Sequence, residues 1–348
     1  MKLRNRLLPV LLAAALCVPA SGCSVDKSWA IKNSSTTIPI GVYIYNLYSA
    51  YEEANSKKTD SSKSVFEQKI DNKDAKTWIR EKALTDTKMT ILLDKKIKDM
   101  KLTYSDDYKK KASEMNTELW SEYSSAFEGY GIAKSSFELA YGTASEKMRL
   151  IFNGIYGKNG TNPVSDDDLK NYYTKTYTDF SYMVLPLYTT DSNGNYSAAM
   201  TDEQKKTAKK VFDEYAEKIK AGTITMEQAG EDYKKAKNSS DDLLHSATVN
   251  IQTDTSFPTE LKNAIKSMKA GDVKTVELSE QQAYVLVYKK DSNKAAETQI
   301  STDDGRESLL SAYKWDEFTA QLEKEAAAMT GITVNEKALN SYDPSMFE

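Results

Sequence analysis

The stretch "FSYMVL", residues 180–185, decides how the chain is read. It has the length and apolar content of a buried strand, and Tyr182 is its one large polar side chain. Residues 41–177 before it have helical spacing. Ile44, Leu47, Tyr48 and Tyr51 share one helix face at i, i+3, i+4 and i+7. Helices are expected over 75–100, from Ser105, from Ser135 to 156 and from Ser165 to 177. "SSFE" at 135–138 reads as a capping box. After the strand come a helix over 202–220 stopped by Gly222, a second in "TMEQAGEDYKKA", and a third in "SFPTELKNAIKSMKAGDV" with Pro258 at its first position. "VKTVEL" and "AYVLVYKK" read as strands. Leu309, Leu310, Tyr313, Trp315, Phe318 and Leu322 then mark a last long helix. A strand-bearing insert thus interrupts a helical domain, an α+β arrangement. The expected boundaries are a signal segment at 1–22, a tether at 23–40, a helical domain at 41–170, an inserted βαααββ domain at 171–292, and a helical segment at 293–348 that packs back on the first helices.

The N-terminus explains where the chain works. Lys2, Arg4 and Arg6 precede an apolar run of 14 residues, Leu7 to Ala20, and Ala20-Ser21-Gly22-Cys23 follows. Such a run suits a signal peptide and is short for a membrane span. Small residues admit a signal peptidase, and the Cys23 thiol can carry a thioether-linked lipid. The competing reading is an ordinary secretory signal with an incidental cysteine. Charge, apolar run, small residues and thiol agree on the lipoprotein, anchored to the outer face of a cell membrane.

The same inventory excludes several chemistries. Cys17 and Cys23 are the only cysteines, so the mature chain has no disulfide, cysteine cluster or cysteine nucleophile. A net charge of −4, more acidic once the leader is removed, disfavours nucleic acid as a partner. No phosphate-binding glycine motif or calcium loop is present, and no cofactor is expected. His245 is the single histidine. Without further ligands it makes no zinc site, and it reads as a solvated loop residue. The 22 tyrosines are more distinctive. Each buries a ring and keeps a polar tip, as a helical core or a peptide-holding surface requires.

With these pieces in order, the chain resembles the SurA/PrsA-like extracytoplasmic foldases, which carry a parvulin-type peptidyl-prolyl isomerase domain. The resemblance covers most of the mature chain. It rests on Lys220-Ala221-Gly222 with Ala229, and on Ala264 followed by Ala270-Gly271-Asp272-Val273. It implies a membrane-anchored foldase for unfolded or nascent secreted polypeptides. The departures fall on the site. The family's first-strand histidine position matches Tyr182 in Ser181-Tyr182-Met183-Val184. Its last-strand histidine position matches Tyr284 in Gln282-Ala283-Tyr284-Val285-Leu286. A glycine-rich loop is represented by "SSDDLLH", and Phe257 and Leu261 match the proline-pocket residues. Two tyrosine hydroxyls in place of two imidazoles imply weak or absent isomerase activity with peptide binding retained. Both tyrosines also suit plain core positions. A non-catalytic scaffold or assembly lipoprotein that kept the fold, and an isomerase working with tyrosines, are the other readings.

Overall fold

The computed structural model describes residues 28–190 and 196–348. The signal segment and Cys23 lie outside them, as do residues 191–195. In chain order the elements are β1 (Trp29–Lys32), β2 (Thr37–Pro39), α1 (Ile40–Ser56), β3 (Lys69–Ile70), β4 (Lys73–Asp74), α2 (Ala75–Asp99), α3 (Asp106–Gly129), α4 (Lys134–Glu138), α5 (Ala144–Tyr156) and α6 (Asp166–Thr176). There follow β5 (Thr178–Pro186), β6 (Tyr188–Thr190), β7 (Tyr196–Ala199), α7 (Asp202–Lys220), α8 (Met226–Ala236), β8 (His245–Val249), α9 (Thr259–Ser267), β9 (Val273–Leu278), β10 (Ala283–Lys289), α10 (Ser292–Ile300), α11 (Asp303–Ala327), β11 (Thr333–Val334) and α12 (Glu336–Leu339). No helix among the described residues is long and apolar enough to cross a membrane.

The chain divides into two compact units. Among the described residues, one takes 28–164 and Leu310–Glu348, the other those within Ser165–Leu309. In the first, α1 is buried almost all round, from Ile40 to Leu47, because its neighbours supply rings on several sides. Tyr45 meets Phe127 and Phe137 edge-on at 5.8 and 5.3 Å, and Trp120 lies 5.3 Å from Phe137. The chain's end closes this unit. β11 pairs antiparallel with β1, Ile31 opposite Val334, and Phe347 packs on Tyr48 and Tyr130 at 5.5 and 4.8 Å.

The helical run after Ile132 holds a feature that the sequence pattern conceals. Between α4 and α5, Leu139–Thr143 widen into a π-helical turn. Such a turn leaves backbone groups displaced from their α-helical partners. The buried Asn116 of α3 compensates: it accepts from the Gly142 N–H at 2.9 Å and donates to the Glu138 carbonyl at 3.5 Å. The expected capping box at Ser135 does not form. The helix starts at Lys134, with Ala133 as its cap in place of Ser135 and no side-chain cap bond. Genuine capping boxes occur instead at Thr201 with Gln204 and at Thr225 with Gln228.

In the second unit a four-stranded antiparallel sheet has the order β8-β5-β10-β9. The expected element order is corrected in one place: β8 adds a strand between α8 and α9, where a loop is expected. β6 and β7 form a separate two-stranded ribbon. Pro258 is the cap of α9, not its first residue. α6 and α10 pack on each other and share the ion pair of Lys170 with Glu297. Both fall in this unit, which runs from 165 to 309.

The sheet is covered on both faces, so β5 buries side chains in two directions. Met183, Leu185 and Leu187 pack with Phe212 and Ala216 of α7 and with Met226, Ala229 and Tyr233 of α8. Phe180 packs the other way, with Leu261 and Ile265 of α9, Val276, Val285 and Val287. This two-sided burial is why "FSYMVL" reads as a nearly continuous apolar run.

Candidate functional site

Tyr182 lies on the α9 face of the sheet, beside Phe180 and Phe257. The Tyr182 ring stands perpendicular to Phe257 at 5.6 Å, and Phe180 closes the group at 5.2 Å from Phe257. Phe257 is held at the entrance to α9 by a local turn. Asp254 accepts from the backbone N–H groups of Ser256 and Phe257 at 2.9 and 3.0 Å, and its own carbonyl accepts from Lys262 Nζ at 2.6 Å. At the end of α9 the Lys289 ammonium donates to the carbonyls of Ile265 and Met268, at 3.1 and 2.8 Å. A cation on terminal carbonyls suits the helix dipole and ties the helix to β10.

The structure adds a residue to this face. His245 is the first residue of β8 and sits directly opposite Tyr182 in the β5–β8 register. Their rings are 5.2 Å apart. His245 is therefore a strand residue at the edge of an aromatic cluster, and its reading as a loop residue is corrected. The segment "HSATV" hid it: an edge strand exposed along most of its length carries no apolar run. The register pairing with Tyr182 was the missing information.

Phe257 and Leu261 are brought together with Tyr182, but with different parts to play. Phe257 is half-buried and meets the surface, whereas Leu261 is buried beneath it. Leu261 supports the aromatic corner and does not line it. Val184, on the same face of β5 and opposite Val285, is 37% exposed and continues the apolar strip.

Tyr284 is not on this face. It stands opposite Leu185 in the β5–β10 register and is buried with Met183, Leu286 and Phe212 under the other helices. Tyr182 pairs instead with Val287. The physical reason is strand periodicity: a slip of one residue carries a side chain to the opposite side of the sheet. Its neighbour on β10, Val285, does share the face of Tyr182. The two tyrosines therefore do not act on one ligand from facing strands.

What remains is a shallow aromatic corner with two polar tips. Burial raises the Tyr182 phenol above its ordinary value, so its hydroxyl remains a donor at neutral pH. Neither that hydroxyl nor the His245 imidazole has a hydrogen-bond partner among the described residues, which leaves both free for a ligand's carbonyl or amide. Behind the sheet on its other side, Asp179 accepts from Tyr173 and Thr248 hydroxyls at 2.6 and 2.7 Å, and Ser181 bonds Ser246 at 3.0 Å. These bonds join α6, β5 and β8 and fix the strand pair that carries Tyr182 and His245. No group of three or more potential metal ligands occurs among the described residues.

No known family model matches the sequence, and no curated protein matches it. Solved structures do. A foldase protein PrsA from Lactococcus lactis is 18% identical, with a TM-score of 0.35, over 90% of this chain and 97% of that one. The foldase protein PrsA from Streptococcus pneumoniae is 15% identical, with a TM-score of 0.36, over 75% of this chain and 88% of the other. PrsA from Bacillus subtilis is 18% identical, with a TM-score of 0.26, over 77% and 86%. These solved structures to which the chain is similar are PrsA foldases, the group that its sequence also resembles.

Proposed function

We propose that the chain is an extracytoplasmic foldase that binds unfolded polypeptides, anchored to the membrane by a lipid on Cys23. The observation that supports it most is the corner of Tyr182, Phe257 and His245. Perpendicular rings with exposed edges accept a pyrrolidine or other apolar ring, and the adjacent phenol and imidazole can bond the peptide on either side of it. An extended chain needs this pairing of an apolar seat with uncommitted donors and acceptors. The helical unit adds a second contact surface rich in half-buried tyrosines.

Catalysis of prolyl isomerisation asks for more. The barrier is about 18–20 kcal/mol, and only contacts stronger to the twisted amide than to the planar one lower it. Val285, which shares Tyr182's face on β10, brings no polar group to this task. Binding with little or no isomerase activity is the reading that the face supports.

Titration of the full chain with an unfolded, proline-containing polypeptide tests this. Phe257→Ala and Tyr182→Ala are each expected to weaken binding about tenfold, the loss of roughly one aromatic contact, while Tyr284→Phe leaves it unchanged. Unaltered binding in both alanine variants would remove the corner from the function. In a protease-coupled assay the wild-type chain is expected to accelerate isomerisation little above background; a large acceleration lost in Tyr182→Phe would restore the catalytic reading. For the anchor, Cys23→Ser is expected to move the protein from the membrane fraction to the medium. Retention in the membrane would refute lipidation at that residue.

A further inference from the structure

Glu52 lies on α1 one turn beyond Tyr48 and is half-buried. Tyr48 stacks on Tyr130 at 6.0 Å, and both pack on Phe347. Lys57, the C-cap of α1, bridges Glu53 and Asp71 at 3.0 and 3.2 Å, and Lys82 holds Asp86 and Glu323 at 2.7 and 3.1 Å. Among the described residues Glu52 has neither a hydrogen bond nor an ion pair. Burial raises its pKa, and its charge in turn helps to raise those of Tyr48 and Tyr130. A carboxylate so placed costs the fold stability and returns none through its own contacts.

An unpaired carboxylate beside half-buried tyrosine rings has the composition of a receptor for a cationic side chain. The part of each ring left in contact with solvent can meet a cation, and the carboxylate supplies the counter-charge. A planar guanidinium fits best, since it can stack on a ring and bond a carboxylate together. We propose that Glu52, Tyr48 and Tyr130 form a subsite for an arginine or lysine side chain of the bound polypeptide, so that the helical unit favours unfolded segments in which a basic residue neighbours apolar ones. This rests on the reading of the helical unit as a polypeptide-binding surface and narrows it to a class of segment.

The test uses the full chain and two short fluorescent peptides of alternating leucine and serine, one with a central arginine and the other with citrulline, its neutral isostere. The arginine peptide is expected to bind about tenfold more tightly. Glu52→Gln should abolish that preference and also raise the melting temperature by about 2 °C, because an uncompensated charge is gone. Glu114→Gln, which removes an exposed carboxylate near Lys110, should preserve the preference. Equal binding of both peptides by the wild-type chain would overturn the subsite while leaving the polypeptide-binding surface in place. An arginine preference that survives in Glu52→Gln would overturn the assignment to Glu52. Binding of neither peptide would overturn the polypeptide-binding reading of the helical unit and the subsite with it.

Discussion

Phe180→Ala is expected to destabilise the sheet-bearing unit by about 3–5 kcal/mol, the usual cost of emptying a buried phenylalanine site. Phe180 has no exposure, and its ring supports Phe257 at 5.2 Å and Tyr182 at 5.8 Å. Its loss opens a cavity beneath the two rings that carry the proposed function. Polypeptide binding should therefore fall with stability, even though Phe180 itself never meets a ligand. The measurement is amide hydrogen exchange along β5 and β10, whose protection should drop by several orders of magnitude. All four tryptophans, Trp29, Trp78, Trp120 and Trp315, lie in the other unit. Native tryptophan emission should accordingly be unchanged. A loss of stability below about 1 kcal/mol would mean that the site collapses around the cavity and that Phe180 is not the floor of this face.

Gly142→Ala is expected to cost the helical unit about 2–5 kcal/mol, an unusual penalty for one methyl group in a helix. A Cβ at this position would stand 2.5 Å from both the Ala112 carbonyl oxygen and Asn116 Oδ1. The Ala112 oxygen is backbone and cannot swing aside. Moving Asn116 breaks the 2.9 Å bond to the Gly142 N–H and strands buried polar groups. Overpacking and lost hydrogen bonding add. Elsewhere in a helix the same change would stabilise by up to about 1 kcal/mol. The sign of the effect therefore reports whether the close approach of α3 is real, and tryptophan fluorescence in denaturant reads it directly, since Trp120 lies on α3. A stabilised Gly142→Ala variant would contradict the packing of α3 against the π-helical turn.

These two sites mark how far the sequence can be read. Helical spacing located α1, α2, α3 and α7 because their apolar stripes repeat over several turns. The run at 180–185 located β5, since a strand covered on both faces needs apolar residues without alternation. β8 has five residues, most of them polar or small, and only its register against β5 reveals it. Tyr284 was legible as a strand residue, but not the face it occupies, because a one-residue ambiguity in β10 reverses every side chain. The π-helical turn follows from Asn116 approaching a glycine 26 positions away, a tertiary fact with no local signature. The aromatic bed of α1 is legible as tyrosine-rich, but that Glu52 has no ion pair among the described residues is a tertiary fact.

The central claim is that the α9 face of the sheet, at Tyr182, His245 and Phe257, receives an unfolded polypeptide. Backbone and side-chain NMR shifts of the full chain, followed during titration with an unfolded proline-containing polypeptide, test it most directly. The largest shifts are predicted at the His245 imidazole, the Tyr182 ring and the amides of Asp254 to Phe257, with the Tyr284 ring on the opposite face unmoved. Shifts confined to Tyr284 and the surface of α7, with His245 and Phe257 silent at saturation, would contradict it.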